Sequence, residues 1–194
     1  MTNKDQNKNY LEAIILELQN NSKRINSVEL EQFSEKIVQA KHIFLAGAGR
    51  SGIAMQAFTN RLMHLGFSVS LVGEISSPHS QPGDLLIICS GSGETGSLKN
   101  LAAKANQSGV SIALVTMKKD SSIGQLADSV LVLPGITKDE NQREEDTFSQ
   151  PMGSSFEQLA FLTFDSLVLS LMDKTGESSE TMFARHADLD RKST

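Results

Sequence analysis

Five short runs of consecutive apolar residues, separated by stretches of helical periodicity, constrain this chain more than anything else in it. The runs lie within residues 42–46, 67–72, 84–89, 110–116 and 129–133, and the clearest is Leu85-Leu86-Ile87-Ile88-Cys89. Successive side chains of a strand point to opposite faces, so an unbroken apolar run demands cover on both faces of its sheet. Helical patterns fall between the runs at 51–65 and 95–107, with a short one near 121–127. Strands alternating with helices in this way build a doubly wound α/β fold, here with five parallel strands flanked by helices.

Helices also precede the first strand and follow the last. Leu11, Ile14, Ile15 and Leu18 share one helical face, and Ser27 reads as the N-cap of a second helix running through Ala40, so an N-terminal helical segment is expected over about 8–40. Residues 135–150 carry Lys138, Asp139, Glu140, Arg143, Glu144, Glu145 and Asp146 without apolar periodicity and read as a surface loop. A C-terminal helical tail is expected over about 153–190. In its helix at 155–173, Phe156, Leu159, Phe161, Leu162, Phe164, Leu167 and Leu169 leave almost no polar face. A helix that is apolar all round must be covered all round, which predicts a homo-oligomer unless the chain buries it alone.

Composition narrows the partners. The 194 residues, 39% of them apolar, suffice for the core of a single domain spanning 1–194. A formal net charge of -5, with no basic stripe, argues against a nucleic-acid partner but leaves room for a local anion site. No stretch reads as the ~18–20 apolar residues of a membrane span, and residues 1–10 lack the apolar core of a signal peptide, so a cytoplasmic protein without membrane contact is expected. The single cysteine, Cys89, lies inside an apolar run, which leaves no disulfide or thiolate metal site and makes it a small core hydrophobe.

Two loops bear on chemistry. Gly47-Ala48-Gly49-Arg50-Ser51-Gly52 matches the GxGxxG of a dinucleotide site, and Glu74 ends the second strand where a ribose-binding acid belongs. A second loop, Ser90-Gly91-Ser92-Gly93-Glu94-Thr95, occupies the equivalent place after the third strand, which a dinucleotide site does not need. Its glycines free backbone N–H groups, its hydroxyls add donors, and the helix after it brings about +0.5 e to its N-terminus. Ser51 can meet Ser90, Ser92 and Thr95 at the topological switch point, making a cradle for one phosphate; the alternative is turn chemistry and N-caps alone. Arg50 is placed to neutralise phosphate or a developing oxyanion.

On these residues the chain resembles the SIS (sugar isomerase) domain, a doubly wound fold that binds phosphosugars. The segments 61–67, 150–158 and 182–189 (RLMHLGF, QPMGSSFEQ and MFARHADL) are similar to those of the 6-phospho-3-hexuloisomerase family of the ribulose monophosphate route of formaldehyde fixation. The resemblance implies interconversion of D-arabino-hex-3-ulose 6-phosphate and fructose 6-phosphate through an enediolate, by a homotetramer that needs neither metal nor cofactor. It makes Glu157 the base. Read locally, Ser154-Ser155-Phe156-Glu157 is also a capping box with Ser154 as N-cap. His186 is a candidate acid or substrate contact, in its own site or a neighbour's. Glu94 is counted with Ser90–Thr95 among the substrate-binding candidates, as a residue that orders the loop or bonds a sugar hydroxyl, and since a phosphate would repel its carboxylate it is expected to point elsewhere. His42 and His64 read as packing or surface residues, and His79 as a loop residue. A phosphosugar sensor without catalysis is the competing function, although the segment before the first strand is too short and too little basic for a DNA-binding domain.

Overall fold

The computed structural model describes residues 3–135 and 150–188. Five parallel strands form one sheet: β1 (Ile43–Gly47), β2 (Val69–Leu71), β3 (Leu85–Cys89), β4 (Ser111–Thr116) and β5 (Ser129–Val132), in the order β2-β1-β3-β4-β5. Gly47 pairs with Cys89 and Cys89 with Val115, so β1, β3 and β4 end level. The chain winds outward from β1 to β2, then returns to β3 and winds the other way. The switch point therefore lies between the carboxyl ends of β1 and β3, where ligands bind in open sheets of this kind.

The helices are α1 (Asn3–Ser22), α2 (Ser27–Gln39), α3 (Gly49–His64), α4 (Gly96–Gln107), α5 (Ser154–Thr175) and α6 (Ser179–Ala184). One face of the sheet packs Leu45, Ile87 and Val115 against α2, α3 and α5, with Phe58 of α3 stacked on Phe164 of α5 at 4.6 Å between centroids. The other packs Phe44, Leu86 and Leu114 against α4. Both faces are covered, as the unbroken apolar runs require.

Local expectations shift in four places. The N-cap of α2 is Asn26 rather than Ser27: its Oδ1 accepts from the Val28 N–H at 2.9 Å, and Ser27 is already helical. β2 keeps three residues of the expected six, because it is an edge strand paired only with β1 and all three are half-buried. The segment near 121–127 makes one 3-10 turn, Gly124–Leu126. Within Pro151–Thr175 an 18-residue stretch has a mean hydropathy of 1.2, enough by length and composition alone to cross a membrane, as core helices also are, and more apolar than the sequence reading allowed; half of that stretch is buried inside the fold. Its outer side leaves Phe161, Leu162 and Leu169 exposed, so one chain does not cover it all round. The expected loop at 135–150 lies, apart from its two end residues, outside the described residues.

Candidate functional site

At the switch point a cavity of about 370 Å³ opens between the first turns of three helices. Gly49 and Ser51 of α3 line it, as do Thr95 and Leu98 at the start of α4, and Gly153, Phe156 and Glu157 at the start of α5. None of these helices has a side-chain N-cap hydrogen bond, whereas α2 and α6, which begin elsewhere, are capped by Asn26 and Ser178. The first turn of a helix has N–H groups without helical partners and carries about +0.5 e, so three uncapped termini around one cavity make a candidate anion site.

Glycine geometry explains why the two loops have this sequence. A Cβ on Gly47 would lie 2.9 Å from the Gly52 nitrogen, so this pair lets α3 start against β1. Gly49 has φ +56° with open space where a Cβ would stand, which suits close approach of a ligand. In the second loop Gly93 (φ +64°) sits on Ser121, whose Oγ would be 2.0 Å from a Cβ there. The Gly93 N–H donates to the Ser90 carbonyl at 3.1 Å, and Ser90 Oγ and Thr95 Oγ1 are 3.3 Å apart.

The expected residues divide among three places. Ser51, Ser90, Gly91, Ser92 and Thr95 line the cavity together with Glu157. Gly93 is buried behind it as a turn, and Glu94 is turned away, as electrostatics requires of a carboxylate beside an anion site. Glu94 accepts from the Ser122 N–H at 2.6 Å, the Ser122 hydroxyl at 2.7 Å and Lys99 at 3.2 Å. These bonds, that of the Ser122 backbone foremost, hold its carboxyl down to about 2 and tie the loop to the segment after β4.

Glu157 and Arg50 form the polar edge of the site. The Arg50 Nε donates to Glu157 Oε2 at 2.5 Å, with the Glu157 side chain 10% exposed and that of Arg50 60% exposed. Arg50 does not line the cavity; it lies in an adjoining groove of about 310 Å³ between α3 and α5, with Ile53, Gln158 and Phe161. The capping box does not form. Met152 (φ 60°) and Gly153 (φ 76°) turn left-handed and start the helix one residue early, so Ser154 is its first residue and the Ser155 hydroxyl accepts from Asn21 at 3.0 Å. Glu157, freed from capping, points to the cavity. Met152 is the one non-glycine residue with positive φ among the described residues, and backbone strain of this kind concentrates at functional sites.

His186 is not brought to this cavity. It is exposed and stacks on His64 at 5.2 Å, past the far end of α3. His64 is buried, and burial, Arg61 and His186 all lower its pKa. His42 places its ring nitrogens 2.7 and 3.0 Å from the Ser68 and Ser70 hydroxyls at the amino end of the sheet, and His79 is exposed.

Cys89 was read as core; it is buried but also forms part of the cavity wall, with its thiol pushed up to about 12 by burial. It therefore stays neutral there. Its place at the end of β3, next to the switch point, was the available signal. Met117, Met152 and Phe156 supply apolar wall that no pattern marked. A larger cleft, of about 560 Å³, lies at the β2 side with Glu74 and Lys104, and takes in none of Ser51, Ser90, Thr95 or Glu157. The candidate residues gather instead at the smaller cavity, which is therefore the candidate site.

Comparison with known proteins assigns the chain to a family. Residues 36–162 match the SIS domain, which holds both loops and Glu157. A 3-hexulose-6-phosphate isomerase of Bacillus subtilis is 46% identical over 93% of this chain and 97% of its own length. One from Mycobacterium gastri is 34% identical over 94% and 90%. A solved Methanococcus jannaschii structure, described as inferring a 3-hexulose-6-phosphate isomerase function, superposes with TM-score 0.79 at 29% identity, covering 93% and 99%.

Proposed function

Because the chain belongs to the SIS domain family and, within it, to the 3-hexulose-6-phosphate isomerases, we propose that it interconverts D-arabino-hex-3-ulose 6-phosphate and D-fructose 6-phosphate. The observation that carries this is the convergence of three uncapped helix termini and one nearly buried carboxylate, Glu157, on a single cavity. The termini, with Ser51, Ser90, Ser92 and Thr95, hold the 6-phosphate. Glu157 takes the C2 proton and returns a proton at C3 of the enediolate, moving the ketone from C3 to C2. The helix termini and Arg50 balance the charge that develops on the enediolate oxygens. With O6 phosphorylated, the 3-ketose has no hydroxyl that closes an unstrained ring, so the substrate arrives open and no ring-opening group is required.

The chain acts in the cytoplasm, in formaldehyde fixation or detoxification, as one domain in a homotetramer that requires no cofactor. The exposed apolar side of α5 supports the assembly, with Phe161, Leu162 and Leu169 uncovered in one chain. His186, exposed and remote from its own cavity, serves a neighbouring copy's site.

The test is direct. 3-Hexulose 6-phosphate, generated in situ from ribulose 5-phosphate and formaldehyde, is supplied to the purified protein and fructose 6-phosphate is measured. No product from a folded protein that still binds fructose 6-phosphate would leave a sensor in place of an enzyme.

A further inference from the structure

Gln158 follows the base in sequence, and no role above uses it. Its Oε1 is buried and has no hydrogen-bond partner among the described residues. Leaving a buried acceptor unpaired is unfavourable, so a native orphan calls for an explanation. Gln158 lines the groove between α3 and α5 together with Glu157, Arg50, Ile53, Ala54 and Phe161, and Arg50 is the cation of that set. Among the described residues Arg50 is held there through its Nε, on Glu157 Oε2, while its side chain is 60% exposed and has room to turn. With that bond in place, the Oε2 lone pair nearest Arg50 is occupied and cannot receive a proton from substrate.

We propose that Gln158 is a positioning residue for the isomerisation: when substrate enters, the Arg50 guanidinium leaves Glu157 Oε2 and is received by Gln158 Oε1. Glu157 is thereby released as the base, while the positive charge remains in the adjoining groove as a counter-charge to the enediolate. The inference rests on Glu157 being the base, and it adds that the Arg50–Glu157 pair is the resting state of the site. Gln158 touches no reacting atom and acts through Arg50.

The experiment is a kinetic cycle. Gln158→Met keeps the length of the side chain and removes the acceptor. In the wild-type background it is expected to lower kcat about tenfold, the scale of one hydrogen bond to a charged group, with KM changed less than twofold. In an Arg50→Gln background the same substitution is expected to change nothing, because the group it serves is gone. Gln158→Glu restores an acceptor and is expected to recover most of the kcat lost in Gln158→Met. A wild-type kcat for Gln158→Met, or an equal loss in both backgrounds, overturns the proposal. Should Gln158→Met not fold, the Arg50 Nε–H signal in the NMR spectrum of wild-type protein, assigned by its loss in Arg50→Gln, decides: it shifts on saturation with fructose 6-phosphate, and an unmoved signal overturns the proposal. Failure of the base assignment itself shows separately, as Glu157→Gln turning over at the wild-type rate.

Discussion

Replacing Glu157 by Gln separates chemistry from architecture. The side chain keeps its shape. Because Ser154 is not an N-cap, no capping bond is lost. What disappears on the stability side is the ion pair with Arg50, whose own side chain is 60% exposed; pairs so open to solvent contribute about 0–1 kcal/mol. For a chain of this length that corresponds to a fall in Tm of at most about 4 °C. Removing a general base costs about 10²–10⁴ in rate. The 6-phosphate is held by groups that the substitution leaves in place, so the loss belongs in kcat, and KM should move by no more than a few fold. Fructose 6-phosphate formation from 3-hexulose 6-phosphate made in situ gives the rates, and a thermal melt gives the stability. A folded Glu157→Gln protein with wild-type kcat refutes the role of Glu157. A fall in Tm well beyond 4 °C refutes the claim that its carboxylate is not structural.

Three further outcomes follow from the same geometry. Thr95→Val removes a hydroxyl from the phosphate cradle and should raise KM about tenfold with kcat nearly unchanged, as steady-state kinetics will show. Gly93→Ala puts a Cβ within 2.0 Å of Ser121 Oγ at a φ of +64°, so the loop cannot keep its shape; Tm should drop by more than about 4 °C and phosphosugar binding should be lost in calorimetry. Glu94 has a folded pKa of about 2, below its unfolded value, so its stabilisation is complete above about pH 4.5 and is lost as pH falls toward 2. Denaturant melts across that window should therefore show a shallower acid limb for Glu94→Gln than for wild type.

Much of this molecule is local in origin. Unbroken apolar runs, helical periods and the two glycine–serine loops each follow from geometry within a few residues, and they sufficed for a parallel doubly wound sheet with both loops at its switch point. Even the orientation of Glu94 followed from charge alone. Local signals failed where neighbours distant in sequence compete. Ser154 is a sound N-cap by sequence, yet the left-handed turn at Met152 and Gly153 and the bond from Asn21 to Ser155 start the helix elsewhere. Phe67–Val72 reads as a full strand, but an edge with a single partner keeps only Val69–Leu71.

The polar edge of the cavity belongs wholly to tertiary structure. Arg50 and Glu157 are 107 residues apart, and only the packing of α3 on α5 brings the guanidinium to the carboxylate and leaves the Gln158 oxygen unpaired beside them. Cys89 likewise became a cavity residue because β1, β3 and β4 end level. The sequence alone determined the sheet, its two covered faces and the glycine–serine loop after β3, since periods of two and of 3.6 residues are short-range properties of the backbone. Which side chains meet across the cavity depends on how three helices pack on that sheet, and that is a sum over contacts that no local period encodes.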